Sequence, residues 1–165
     1  MATDKSTSLT NSLAEPRVAS RLVGKLVSVA DTVAVADGAA NDYALVNIRI
    51  PVDAIVRSVR IASDDLGGSA VMDVGLYKQD TPPTGTTFTA VLGTAFKTGL
   101  DVSGAAVAMT DVRFASLNIT SVNSPAWVLA GLSAKPAYGE FVLGFKFTAE
   151  TATAGDVTAI VDLVL

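Results

Sequence analysis

The chain contains no cysteine and no histidine. The first absence removes disulfides, thiolate zinc ligands and thiol nucleophiles. The second removes imidazole ligands and every Ser-His or Cys-His catalytic pair. Glutamate is nearly absent too, with only Glu15, Glu140 and Glu150. A glycosidase-type carboxylate pair would have to come from aspartates, and no spacing in the chain selects two. Charged residues make up 17% of the 165 residues, twelve basic against sixteen acidic, for a net charge of -4. A chain of that balance without a basic stripe is a poor partner for a nucleic-acid backbone. Aromatics are 6% with a single tryptophan, too few for the exposed flat row that a sugar-stacking surface needs. The longest charge-free run, residues 114–134, is long enough to cross a bilayer. It carries Asn118, Thr120, Ser121, Asn123, Ser124 and Pro125, which a lipid-facing helix would not hold together. The polar start (Thr3, Asp4, Lys5, Ser6, Thr7, Ser8) lacks the apolar run of a secretory signal.

What the chain does have is 22 valines and 17 threonines, a strand-forming composition. From Lys25 onward the apolar residues recur with a period of two. Tyr43 to Ile50 sets Val46, Ile48 and Ile50 on one face, with Leu45, Asn47 and Arg49 on the other. Ala54 to Ser63 sets Ile55, Arg57, Val59 and Ile61 together. After the turn Asp64-Asp65-Leu66-Gly67-Gly68, a strand to Lys78 points Met72, Val74 and Leu76 inward. Shorter strands are expected near Val91 to Lys97 and Val107 to Leu117, and stronger ones over Ala126 to Leu132 and Phe141 to Thr148, before Val157 to Leu165 closes the chain. About nine short strands with turns every 8 to 12 residues or so predict an all-β sandwich or barrel. The predicted core comprises Val46, Ile48, Ile50, Val59, Ile61, Val74, Leu76, Trp127, Leu129, Phe141, Leu143 and Phe145. A mean hydropathy of +0.46 asks for either a rich core or apolar surface covered by a partner.

Candidate chemistry is sparse. Asp64, Asp65 and Asp73 form the one local carboxylate group, and turn chemistry, with side chains bonding their own backbone, explains it better than a calcium site does. Gly67-Gly68 follows a strand but precedes no helix pattern and no Lys-Ser/Thr pair, so it is no phosphate cradle. Tyr43, Phe88 and Tyr138 sit near loops and are candidate contact residues. No cofactor and no metal are expected.

Residues 1–24 read differently from the rest. They hold Pro16, polar and turn residues, and no sustained apolar period, which predicts an extended N-terminal arm ahead of a β-sandwich over 25–165. Arg17, Arg21 and Lys25 recur every four residues, so residues 1–25 carry +2 while the remainder carries -6. An arm of that charge suits docking on an acidic partner, with Leu13, Val18 and Leu22 supplying apolar contacts beside Arg17, Arg21 and Lys25.

The layout resembles the decoration, or cement, proteins of tailed bacteriophage heads. The resemblance lies in the polar arm, in Ile48-Arg49-Ile50-Pro51-Val52-Asp53-Ala54-Ile55-Val56 leading to Val59-Arg60-Ile61-Ala62-Ser63-Asp64-Asp65-Leu66-Gly67, and in Met72-Asp73-Val74-Gly75-Leu76-Tyr77. It covers about forty residues clearly and brings no catalytic residues with it. It implies a jelly-roll-like antiparallel β-sandwich with an extended N-terminal arm. The implied role is a non-enzymatic one on the outer surface of a virion capsid, after synthesis in the bacterial host cytoplasm. Its implied partners are the major capsid protein and copies of itself, as a homotrimer, with no nucleic acid and no membrane. A tail or head-fibre adaptor and a carbohydrate-binding β-sandwich module remain alternatives, with a hydrolase using Asp behind them.

Overall fold

The computed structural model describes residues 3–5, 25–82, 85–113 and 123–165. Nine strands fall into two sheets: β1 (Thr3–Lys5), β2 (Leu26–Val35), β3 (Tyr43–Pro51), β4 (Ile55–Ser63), β5 (Val71–Gln79), β6 (Phe88–Asp101), β7 (Val107–Asp111), β8 (Glu140–Phe147) and β9 (Gly155–Val164). One sheet has the order β1-β3-β8-β5-β6 and the other β2-β9-β4-β7. From β2 onward every connection passes from one sheet to the other except the β5–β6 hairpin. That is the connectivity of a jelly roll. All pairings are antiparallel but one, since β1 runs parallel to β3 in the register Thr3↔Tyr43, Asp4↔Ala44, Lys5↔Leu45.

The core lies between the sheets and follows the predicted alternation. Val46, Ile48, Ile50, Val59, Ile61, Val74, Leu76, Phe141, Leu143 and Phe145 are all fully buried, and Leu129 is buried as well. Trp127 is only half-buried and packs at the core's margin.

Three expectations are corrected. The predicted phase of β4 breaks at a bulge, because Val56 and Ser58 oppose consecutive residues Leu163 and Asp162 of β9. Arg57 is the extra residue, so Val56 and Val59 both point inward, while Ile55 leaves the predicted inner set. The predicted short strand near Val91 to Lys97 is the middle of the fourteen-residue β6, whose pairing with β5 slips three times. Ala126 to Leu132, expected as a strand, instead begins with a single helical turn, α1 (Ala126–Leu129). Pro125 presets the entry, and its carbonyl accepts from the amides of Val128 and Leu129. Gly131, at φ 72, closes the turn in the left-handed region that glycine tolerates. The amides of Ala126 and Trp127, which such a turn cannot satisfy itself, donate to the carbonyls of Ala54 and Val52. Tertiary pairing with the β3–β4 turn thus decides a segment too short for its period to be read. Of the predicted strand Val107 to Leu117, β7 ends at Asp111, and 114–122 lie outside the described residues.

Candidate interaction surfaces

Several carboxylates are engaged by backbone amides. The carboxylate of Asp64 accepts from the amide of Asp156, that of Asp65 from Gly67 and that of Asp73 from Gly99, at 2.8 to 2.9 Å. Only Asp65 bonds within its own turn as expected, whereas Asp64 reaches the start of β9 and Asp73 reaches Gly99 of β6. Asp101 accepts from both the amide and the hydroxyl of Ser103, which holds its carboxyl below the usual range. Among the described residues no group of three His, Cys, Asp or Glu could hold a metal ion. A shallow, open concavity beside the β6–β7 turn is lined by Asp101, Gly104, Ala105, Ala106 and Val107, with no base or nucleophile facing Asp101 across it. Among the described helices none is long and apolar enough to cross a membrane.

The outer face of the four-stranded sheet is a more informative surface. The register of β2, β9 and β4 aligns Leu26, Val164 and Ile55 in one row, Ser28, Asp162 and Ser58 in the next, then Ala30, Ile160 and Arg60, then Thr32, Thr158 and Ala62. Small side chains (Ser28, Ala30, Ser58, Ala62 and the threonines) alternate on this face with the larger Leu26, Ile55, Ile160 and Arg60. At its centre the Asp162 carboxylate accepts from the hydroxyl of Ser58 at 2.5 Å and from Arg60 at 3.1 Å. The hydroxyls of Ser58 and Ser28, with Arg60, keep its carboxyl below the usual range. Thr32 and Thr158 join hydroxyls at 2.9 Å two rows further on. The first row is the apolar end of this face, and Leu26 there is 68% exposed. Lys25 adjoins it, exposed, its carbonyl accepting from the amide of Leu165. Of the predicted docking residues Lys25 is therefore placed at the apolar row. Leu13, Arg17, Val18, Arg21 and Leu22 lie outside the described residues.

The outer face of the five-stranded sheet is closed over instead. Tyr77 and Leu45 are buried there in a second, small cluster with Tyr43 and Phe88 against it. Tyr43 and Tyr77 meet edge to face at 5.6 Å. Tyr138 meets Phe141 in the same way. The three aromatics expected as contact residues are all half-buried and pack inside the molecule. Beside the cluster Arg49 bonds Asn47 and Gln79 and pairs with Glu140 at 3.4 Å. The row arrangement on the outer face of β2, β9 and β4 is a feature the sequence reading does not contain. Its signal in the sequence is the apolar residues Leu26, Ile160 and Val164 standing out of phase with the core-facing positions of their strands.

No protein-family model matches the sequence, and no curated protein matches it. The fold does have a solved counterpart. A chain from the capsid of Ralstonia phage GP4 superposes with a TM-score of 0.64 at 17% identity, covering 99% of this chain and 97% of that one. A chain from the cyanophage Pam1 capsid asymmetric unit is 20% identical with a TM-score of 0.44, over 92% of this chain and 95% of that one.

Proposed function

We propose that this protein is a non-enzymatic structural component of a virion, docking on the outside of an assembled phage capsid and bridging neighbouring subunits. The observation that carries the reading is the end-to-end correspondence of its jelly roll with a chain of a phage capsid. Two features of the molecule itself support it. The carboxylates of Asp64, Asp65, Asp73 and Asp101 each accept from backbone amides of separate segments rather than converging on one point. The outer face of the four-stranded sheet ends in an apolar row of Leu26, Val164 and Ile55 beside Lys25, with Leu26 exposed. Its partners are the major capsid protein and further copies of the same chain, as a trimer. A protein that binds only the assembled lattice stabilises that lattice by mass action, and many symmetric copies multiply weak contacts.

In this mechanism Arg17, Arg21 and Lys25 approach acidic groups of the partner, while Leu13, Val18 and Leu22 fill apolar grooves. Rim charges govern encounter and weaken with salt, whereas apolar contacts govern release. The test is binding to undecorated capsids, followed by cryo-electron microscopy of the particle. Saturable occupancy on the outer surface is the expected result, with slower association at high salt for wild type and a smaller salt effect for R17A/R21A. Absence from the capsid surface, or turnover of a glycan or ester substrate that is lost when one Asp is changed, would overturn the reading.

A further inference from the structure

We infer that β1 is an exchangeable strand, and that the edge of β3 it occupies is the docking site for the β1 of a second copy of this chain. The inference is independent of the capsid reading and is tested on the protein alone.

A strand at the end of a sheet presents unpaired amides and carbonyls that invite another strand. Here the β3 edge is covered in two pieces. Thr3–Lys5 pairs with Tyr43–Leu45, and the amide of Asn47 just beyond donates to the Asp31 carboxylate at 2.6 Å. The Asp31 cover comes from β2, a ten-residue strand fixed along its whole length to β9. The β1 cover is held far less firmly. It is three residues long, has β3 as its one partner among the described strands, and pairs parallel, the slightly weaker arrangement per residue. A three-residue terminal strand opens at low cost compared with the global unfolding of the domain.

The connection then sets which β3 can be reached. Twenty residues separate Lys5 from Leu26. A chain of that length spans up to roughly 65 Å, against about 30 Å across a domain of 165 residues with a radius of gyration near 15 Å. The reach therefore includes the β3 edge of an adjacent copy. The pairing made there would be the same Thr3↔Tyr43 to Lys5↔Leu45 ladder, so exchange leaves the contacts of the strand unchanged and links two molecules. Tethering holds a strand near its own partner at an effective concentration on the order of millimolar. In dilute protein each β1 stays at home, and where copies are packed at comparable local concentration the neighbour's edge competes.

The absence of native cysteine makes the test direct. T3C and Y43C chains, each with a single thiol, are mixed under a mild redox buffer and run on a non-reducing gel. Because Thr3 and Tyr43 are register partners, a T3C–Y43C heterodimer forms only when β1 of one copy lies on β3 of another. Its yield is expected to rise at least tenfold between micromolar and millimolar protein, well above a T3C and T110C mixture, whose second thiol sits on β7 in the other sheet. Equal yields in the two mixtures would overturn the inference. A second measurement covers the case in which Y43C, having lost its ring contact with Tyr77, fails to fold. Isotope-labelled D4P, whose proline interrupts β1, is mixed with unlabelled wild type. Amides of Tyr43–Leu45 in the labelled chain should gain exchange protection as wild type is added to millimolar concentration, and protection unchanged at that concentration would also overturn it.

Discussion

The two sheets of the jelly roll share one core yet differ in their outer faces. In the four-stranded sheet β9 alternates between buried and half-buried residues along its length, because its outer side chains meet solvent. In the five-stranded sheet β5 is buried at seven of nine positions, on both sides of the strand. The cause is β6. Where the pairing slips between Val74↔Lys97 and Leu76↔Leu92, extra residues of β6 are thrown over the outer face of β5. This crossing needs glycine beneath it, since a Cβ on Gly75 would lie 2.2 Å from the carbonyl carbon of Gly93 and 2.4 Å from the Leu92 oxygen. One strand further, Gly144 leaves the space that Leu45 and the Tyr77 ring occupy. Glycines thus let a bulged neighbour and one tyrosine fold over the outer face of a sheet.

Gly75→Ala breaks that arrangement and has the largest expected effect. The clash is with backbone, which no rotamer change relieves, so the loss should reach about 4 kcal/mol or leave no folded chain. Gly93→Ala is its control on the crossing strand. Its Cβ would come no nearer than 3.6 Å, to the Tyr77 oxygen, so denaturant unfolding should place it within about 1 kcal/mol of wild type. Similar losses for both would mean that strand entropy, not the crossing, sets the requirement.

Phe145→Ala comes next. It lies between the sheets and is fully buried, so truncation removes contacts to both and should cost about 3–5 kcal/mol in urea or guanidinium unfolding. A cost under about 1 kcal/mol would mean the core collapses to fill the space, and that the two sheets are less rigidly spaced than their interdigitation implies.

These two sites also show what the sequence could and could not say. Phe145 was legible because Phe141, Leu143, Phe145 and Phe147 repeat with a period of two, and one face of a strand follows from that alone. Gly75 was not. It reads as an ordinary break in Met72-Asp73-Val74-Gly75-Leu76-Tyr77, and its reason lies eighteen positions away at Gly93. The same holds for Arg57, whose extra place in β4 is visible only against Leu163 and Asp162 of β9. The Pro125 and Gly131 that bracket α1 were present in the sequence, but the alternation between them favoured a strand until Val52 and Ala54 supplied acceptors. The candidate site divides likewise. Lys25 was legible as an exposed charge, whereas the row Leu26, Val164 and Ile55 exists only through pairing of residues far apart in the chain.

Tyr77→Phe sharpens the comparison at lower cost. The Tyr77 hydroxyl is buried and has no hydrogen-bond partner among the described residues, and burial raises its pKa well above the ordinary tyrosine value. An unsatisfied buried hydroxyl is a penalty, so its removal should leave stability equal or higher by up to about 1 kcal/mol, with the ring still covering Gly144. Destabilisation beyond that would show that the hydroxyl has a partner closing the outer cluster.

The smallest effect belongs to the open face of the other sheet. Asp162 is held as the anion by the hydroxyls of Ser58 and Ser28 and by Arg60, so its folded-state pKa lies below the ordinary value of 3.8. A depressed carboxylate pKa contributes stability that is fully present above the unfolded value and is lost as pH falls through the folded one. Wild type should therefore be more stable than Asp162→Asn at pH 7, and the gap should narrow only below about pH 4. Thermal melting of both proteins from pH 7 down to pH 2.5 measures this. Salt should trim the Arg60 part of the gap, since that pair is partly exposed, and leave the Ser28 and Ser58 part in place. A gap that stays constant through the acid range would mean that Asp162 acts by shape, as a packed side chain on the outer face. In that case the charge at the centre of the four-stranded sheet would be free to meet a partner's cation rather than being held for the fold.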